Sequence, residues 1–313
     1  MKTLNPIILV VMIFALFSSC KKDKSSDQTQ NTGDNYTSVA AFHASNGVKT
    51  QTFAIDGVSG GQFSTPQGTK VTIPSNAFVS QGGNPVTGAV TIEFKDIYKR
   101  SDMLLSDRST NSLYGMPIKS GGMFFIKAKQ NNAVVSMAAG KKITIEQPLI
   151  GLPVDTAMKA MIWGMNPDGK GWVVTTADSL DCNLTGYIFS LYQFNAPVDS
   201  GSWCNSDNPT FFKDYTITVL TLNPLDNPDD FKTEVFLIFS NINSMVHVYY
   251  SAPAFPYYFA PLSLQCTVVA LGVKNGKLYS SFTPVTISAN LTVNFSLAAT
   301  TSTEFKAKLD SIQ

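Results

Sequence analysis

Gly88-Ala89-Val90-Thr91-Ile92-Glu93-Phe94 alternates apolar and polar side chains behind an entry glycine. A period of two marks a half-buried β-strand, because successive side chains of extended backbone point to opposite faces. Lys70-Val71-Thr72-Ile73 and Lys142-Ile143-Thr144-Ile145-Glu146 repeat the pattern, and Pro66-Gln67-Gly68, Gly82-Gly83-Asn84-Pro85 and Gly121-Gly122 punctuate it with turns. Residues 158–164 and 171–176 read as a hairpin around Asn166-Pro167-Asp168-Gly169, and 184–192 as a further strand. A second series of strand patterns covers 215–222, 234–240, 245–250, 264–273, 277–282 and 291–297. Within it Asn275-Gly276 is the strongest hairpin signal, since both central residues of a type I′ turn need positive φ. The chain is therefore expected to be all-β, with two antiparallel β-sandwich domains, or three if the stretch between them is a module of its own.

These patterns divide the 313 residues into a β-domain at 47–150, a bridging β-segment at 151–205, a C-terminal β-sandwich at 206–302 and a short helical tail at 303–313. The tail reads as helix because Phe305, Leu309 and Ile312 recur at i, i+4 and i+7. Hydrophobic residues make up 44% of the chain and charged ones 14%, which is ample material for a core.

Ahead of the strands, Lys2, an apolar run over residues 6–17 and then Ser18-Ser19-Cys20 follow the order of an export leader: basic start, apolar core, small residues before the cut. The run is shorter than the ~20 residues a spanning helix needs. With a cysteine directly after the cut, the segment resembles a bacterial lipobox. That resemblance implies a signal peptide at 1–19, a lipid on Cys20 and attachment to the membrane through that anchor. Residues 20–46 are rich in Lys, Ser, Asp, Gln, Asn and Thr and read as a flexible, disordered tether. The implied location is the outer membrane with the protein exposed on the cell surface; a periplasm-facing orientation is the alternative. Loss of Lys2 with the leader leaves 22 basic and 22 acidic residues. A nucleic-acid partner is not expected of a chain without a basic stripe.

Cys182 and Cys204 lie in polar, turn-rich surroundings and either pair as a disulfide in an oxidising compartment or stay free, whereas Cys266 falls in an apolar alternation. No paired-cysteine spacing exists, and the two histidines are His43 in the tether and His247 in a strand. Neither a metal site nor a cofactor is expected from that ligand set.

Gly60-Gly61-Gln62-Phe63, then Gly68-Thr69-Lys70-Val71-Thr72-Ile73-Pro74-Ser75-Asn76-Ala77-Phe78, then Gly88-Ala89-Val90-Thr91-Ile92 resemble the domain shared by zona-occludens proteins and netrin receptors, called ZU-five. The likeness spans residues 57–150. Bacteroidota-type surface lipoproteins of unknown function carry a similar module. Ser120-Gly121-Gly122-Met123-Phe124 and Gly201-Ser202-Trp203-Cys204-Asn205-Ser206-Asp207 resemble their further recurrent segments. What the resemblance implies is a scaffold or interaction module. It does not carry over the self-cleavage that some eukaryotic relatives perform at a His-Phe-Ser triplet, because His43 precedes Ala44-Ser45 and His247 precedes Val248-Tyr249. Asp155-Thr156-Ala157, Asp178-Ser179-Leu180 and Asp310-Ser311-Ile312 resemble the O-glycosylation sites of exported Bacteroidota proteins, which marks Thr156, Ser179 and Ser311.

Neither histidine stands beside a glycine-framed serine or cysteine in the sequence. Asp226, Asp229 and Asp230 stand among Asn and Pro, where turn chemistry accounts for them. The strongest recognition feature is aromatic: Tyr249 and Tyr250, then Phe255, Tyr257, Tyr258 and Phe259, in a run that reads as a loop stiffened by three prolines, with Trp203 as a second candidate. Such rings either stack on sugars and partner proteins or cap the sandwich core. The expected function is a lipid-anchored, non-enzymatic binding or scaffold module for a glycan or an envelope protein. The alternatives are a structural spacer and an envelope hydrolase whose site assembles only in three dimensions. Convergence of His247 with acids in a concave pocket would favour the hydrolase.

Overall fold

The alternating strands assemble into two sandwiches. The computed structural model describes residues 34–149, 151, 153–166, 169–194 and 201–312, so the leader, Cys20 and the turn residues Pro167 and Asp168 lie outside the described residues. In the first sandwich one sheet runs in the order Gln51–Asp56, Ala89–Ile97, Lys119–Gln130, Ser202–Asn208, Lys159–Asn166, Gly169–Val174. The opposing sheet runs Ser179–Asn183, Gly186–Leu191, Ile143–Pro148, Lys70–Ile73, Gly61–Ser64. Val90, Ile92 and Phe94 from the opening motif meet Phe124, Ile143, Ile145 and Phe189 between the two sheets. Strands from the bridging segment 151–205 join both sheets, so that segment completes the first sandwich.

The second sandwich sets Phe255–Pro261, Ile217–Pro224 and Leu291–Phe295 against Met245–Val248, Glu234–Phe239, Gln265–Lys274, Lys277–Thr286 and Ala298–Thr300. Ile217–Pro224 and Leu291–Phe295 pair in parallel, a departure from the antiparallel expectation. Asn275 and Gly276 both take positive φ, 51° and 78°, and close the hairpin between Lys274 and Lys277 as expected. The aromatic stretch is not a loop. Phe255–Pro261 is an edge strand, bonded on one side only, where a register shift between Thr218 and Leu220 of its partner accommodates the prolines.

A third core lies between the sandwiches. Side chains in Glu234–Phe239 alternate between two apolar environments: Val235, Leu237 and Phe239 face the second sandwich interior, and Phe236 and Ile238 face the third core. Gln265–Lys274 does the same, with Cys266, Val268 and Ala270 on one side and Val269, Leu271 and Val273 on the other. Ile97, Met123, Met161 and Trp172 from the outer face of the first sandwich close the layer. Three short helices fill it: Val39–Asn46, Arg100–Leu105 and Ser302–Asp310. Asp34–Gln313 is consequently one compact unit. Among the described residues no helix is long and apolar enough to cross a membrane.

The first helix corrects the expectation of a disordered tether to residue 46. Ser38 caps it by accepting a hydrogen bond from Ala41 N at 3.1 Å, and Val39 and Phe42 sit buried in the third core. Phe42 packs edge-on against Phe305 of the C-terminal helix, with ring centroids 5.5 Å apart. That helix is the expected tail, started by a Thr301–Glu304 capping box and anchored through Phe305 and Leu309. Replacing Phe42 by Ala is expected to cost about 3–5 kcal/mol through transfer and cavity terms. Denaturant unfolding measures it, and a variant as stable as the wild type would make the helix an appendage.

Candidate functional site

Two clusters of functional side chains share one cleft, of about 540 Å³, beside the first helix. Its wall follows from the strand alternation. In Ala89–Ile97 and Lys119–Gln130 the residues between the core positions, Glu93, Lys95, Phe125 and Lys127, point away from the first sandwich interior and line the cleft. Trp203 takes the same face of the neighbouring strand, with its ring 5.4 Å from that of Phe125. Arg108, just beyond the second helix, lays its guanidinium 4.7 Å from the Trp203 ring centre and 5.3 Å from that of Trp163. Burial lowers the Lys95 ammonium below its ordinary pKa, and the nearby charges of Arg108 and Lys49 push it the same way. Glu93 is held by Lys129, so positive charge dominates this part of the cleft.

The second cluster stands at the helix end of the cleft. His43, the residue after the Phe42 anchor, is 6% exposed, and its Nε2 lies 3.1 Å from Oε2 of Glu234. Asp107 reaches the same point because it takes the left-handed backbone, φ 51°, just past the second helix. One ligand-type atom from each of His43, Asp107 and Glu234 lies within 4.8 Å of the others. Phe236 joins both histidines: its ring is 6.3 Å from His43 and stacked 4.7 Å from His247. For Glu234 burial alone would raise the pKa, but the His43 hydrogen bond and the charges of His247 and His43 outweigh it and hold the carboxyl below its usual value. Burial lowers the His247 imidazole, against the pull of Glu234 and Asp107.

The aromatic candidates divide. Phe255 and Tyr257 face the second core and are structural, with the Tyr257 hydroxyl donating to the Gly115 carbonyl at 3.2 Å. Phe259 is half-buried against that core, while Tyr249, Tyr250 and Tyr258 are exposed. Tyr249 leans on His247 and Tyr250 on Phe255, and among the described residues no ring lies against Tyr258, so these tyrosines do not make one platform. Trp203 alone of the aromatic candidates lines the cleft. Of the two readings left open for Cys182 and Cys204, the structure has free thiols: Cys204 points into the first core and Cys182 is exposed on an outer strand. Thr156, Ser179 and Ser311 are all exposed. Lipidation at Cys20 falls outside the described residues. No protein family, characterised protein or solved structure matches the chain.

The two segments singled out with the ZU-five-like resemblance are neighbours, bonded in one sheet with Asn205 opposite Met123 and Asp207 opposite Ser120 across a register shift. They enclose a buried polar network. Ser120 Oγ donates to Asn205 Oδ1 at 3.0 Å, Asn205 Nδ2 to Asp207 Oδ2 at 2.6 Å, and Gln147 Nε2 to the Gly122 carbonyl at 2.9 Å. Gly122 has φ 125°, and a Cβ there would sit 2.4 Å from the Tyr98 ring. Burial raises the Asp207 carboxyl well above its usual value, more than its bonds to Ser120 and Asn205 lower it. The folded chain thus keeps a proton on Asp207 that the unfolded chain releases above about pH 4. This contribution to stability is fully present below about pH 4 and is lost as pH rises towards the folded-state pKa. Asp207→Asn, which copies the protonated acid, is expected to flatten that slope in urea titrations run from pH 5 to 8; an unchanged slope would refute a protonated Asp207.

Proposed function

We propose that this chain is a lipid-anchored, non-enzymatic binding module of the cell envelope, and that its cleft takes an anionic glycan. The observation that carries the reading is Trp203 beside Arg108, Lys95 and Lys127 in a cleft with few free acids. A sugar ring stacks on an indole face, and its carboxylate or sulfate group is met by the cations. Because Asp34 accepts a hydrogen bond from Ser302 and Tyr36 N donates to the Gly276 carbonyl, the folded unit begins at residue 34, and a lipid on Cys20 would be joined to it through residues 21–33.

The test is capture of the full chain, in mild detergent, on polygalacturonate beads compared with neutral dextran beads. Retention on the polyuronate alone, released by salt, is expected. Trp203→Ala and Lys95→Ala should each weaken it by about tenfold, equivalent to ~1.4 kcal/mol. Equal retention on both supports would overturn the reading. Cys20→Ser should move the processed protein from the membrane to the soluble fraction, since nothing else proposed here inserts into lipid; a variant still in the membrane fraction would exclude the anchor.

The convergence of His43, Asp107 and Glu234, with His247 stacked on the adjoining Phe236 ring, favours an envelope hydrolase as the second reading. New reducing ends released from the captured polyuronate by the wild type, and not by Glu234→Gln, would establish it in place of simple binding.

A further inference from the structure

We propose that His43, Glu234 and Asp107 form a binding site for a first-row divalent metal ion, with zinc as the probe. The sequence expectation was the reverse, because His43 stood in a stretch read as tether. The site stands apart from the glycan reading and is tested with the metal alone.

Three observations carry it. The first is spacing. Donors bound to one zinc ion at about 2.1 Å in tetrahedral array stand roughly 3.4 Å apart; His43 Nε2 and Glu234 Oε2 are 3.1 Å apart, and the three donors lie within 4.8 Å of one another. Asp107 is exposed and free to close the remaining gap by side-chain rotation. The second is an unsatisfied atom. Nδ1 of His43 is buried without a hydrogen-bond partner among the described residues, on a ring that is 6% exposed. That nitrogen lies across the ring from the ion and is not its ligand; with no hydrogen-bond partner directed at it among the described residues, the ring can carry its proton there and present the Nε2 lone pair to the metal.

The third is the donor set. One imidazole and two carboxylates compensate a divalent charge and match the nitrogen and oxygen ligands that zinc accepts. The cleft side of the cluster stays open for water or a ligand anion as a fourth donor. The three residues come from two helix ends and a strand start, so the ion would tie the N-terminal helix to the second sandwich.

Equilibrium dialysis of the full chain against zinc chloride, with total metal analysis, tests the proposal. One zinc per chain is expected, and a cobalt-substituted sample should show no thiolate charge-transfer band. Asp107→Asn keeps the backbone intact, since Asn tolerates the left-handed region. That variant and Glu234→Gln should each lose about tenfold or more in affinity, with circular dichroism confirming that both are folded. Cys182→Ser should bind as the wild type does. If both folded carboxylate variants bind zinc unchanged, or if Cys182→Ser abolishes uptake, the site is not the one proposed.

Discussion

A sheet that is apolar on both faces must be covered twice, and the sheet built on Glu234–Phe239 and Gln265–Lys274 is such a sheet. One face completes the second sandwich. The other demands a partner layer, which the first sandwich and three helices supply together. The hydrophobic term is proportional to area removed from water, so this shared core holds the halves together more firmly than a hinge between independent domains would. The cleft, the histidine cluster and the placement of Arg108 between two tryptophans all follow from how these helices end against that layer.

Strand positions were legible because period two is a local signal, and the Asn275-Gly276 turn was legible because it needs two residues that tolerate positive φ. The apolar runs Val235–Phe239 and Cys266–Val273 also carried a readable sign, since a strand apolar at consecutive positions is buried on both sides. The helix at Val39–Asn46 was not legible. Eight residues are too few to form a helix without tertiary support, and only Val39 and Phe42 supply an apolar side to pack.

The site itself left little trace. His43, Asp107, Glu234 and His247 are scattered over two hundred positions, and no spacing rule links them. Their convergence depends on the third core, which has no counterpart in any single stretch of sequence. The aromatic run misled in an instructive way: prolines argued for a loop, yet an edge strand tolerates them because its outer N–H groups need no partner. Once the run is a strand, alternation decides each ring's fate, and Phe255 and Tyr257 turn inward while Tyr258 turns out.

The N-terminal helix has a consequence for how the chain reaches its native state. Val39 and Phe42 rest beside Val269, Leu271, Phe305 and Leu309, so the first described helix is completed by the last. A polypeptide made from its amino end carries these side chains unsatisfied until almost all of it has emerged. The closing step joins residues about as distant as the chain permits, an arrangement that slows folding through loop-closure entropy. During that interval Val39 and Phe42 stay in contact with water, and their burial closes the core that the two sandwiches share.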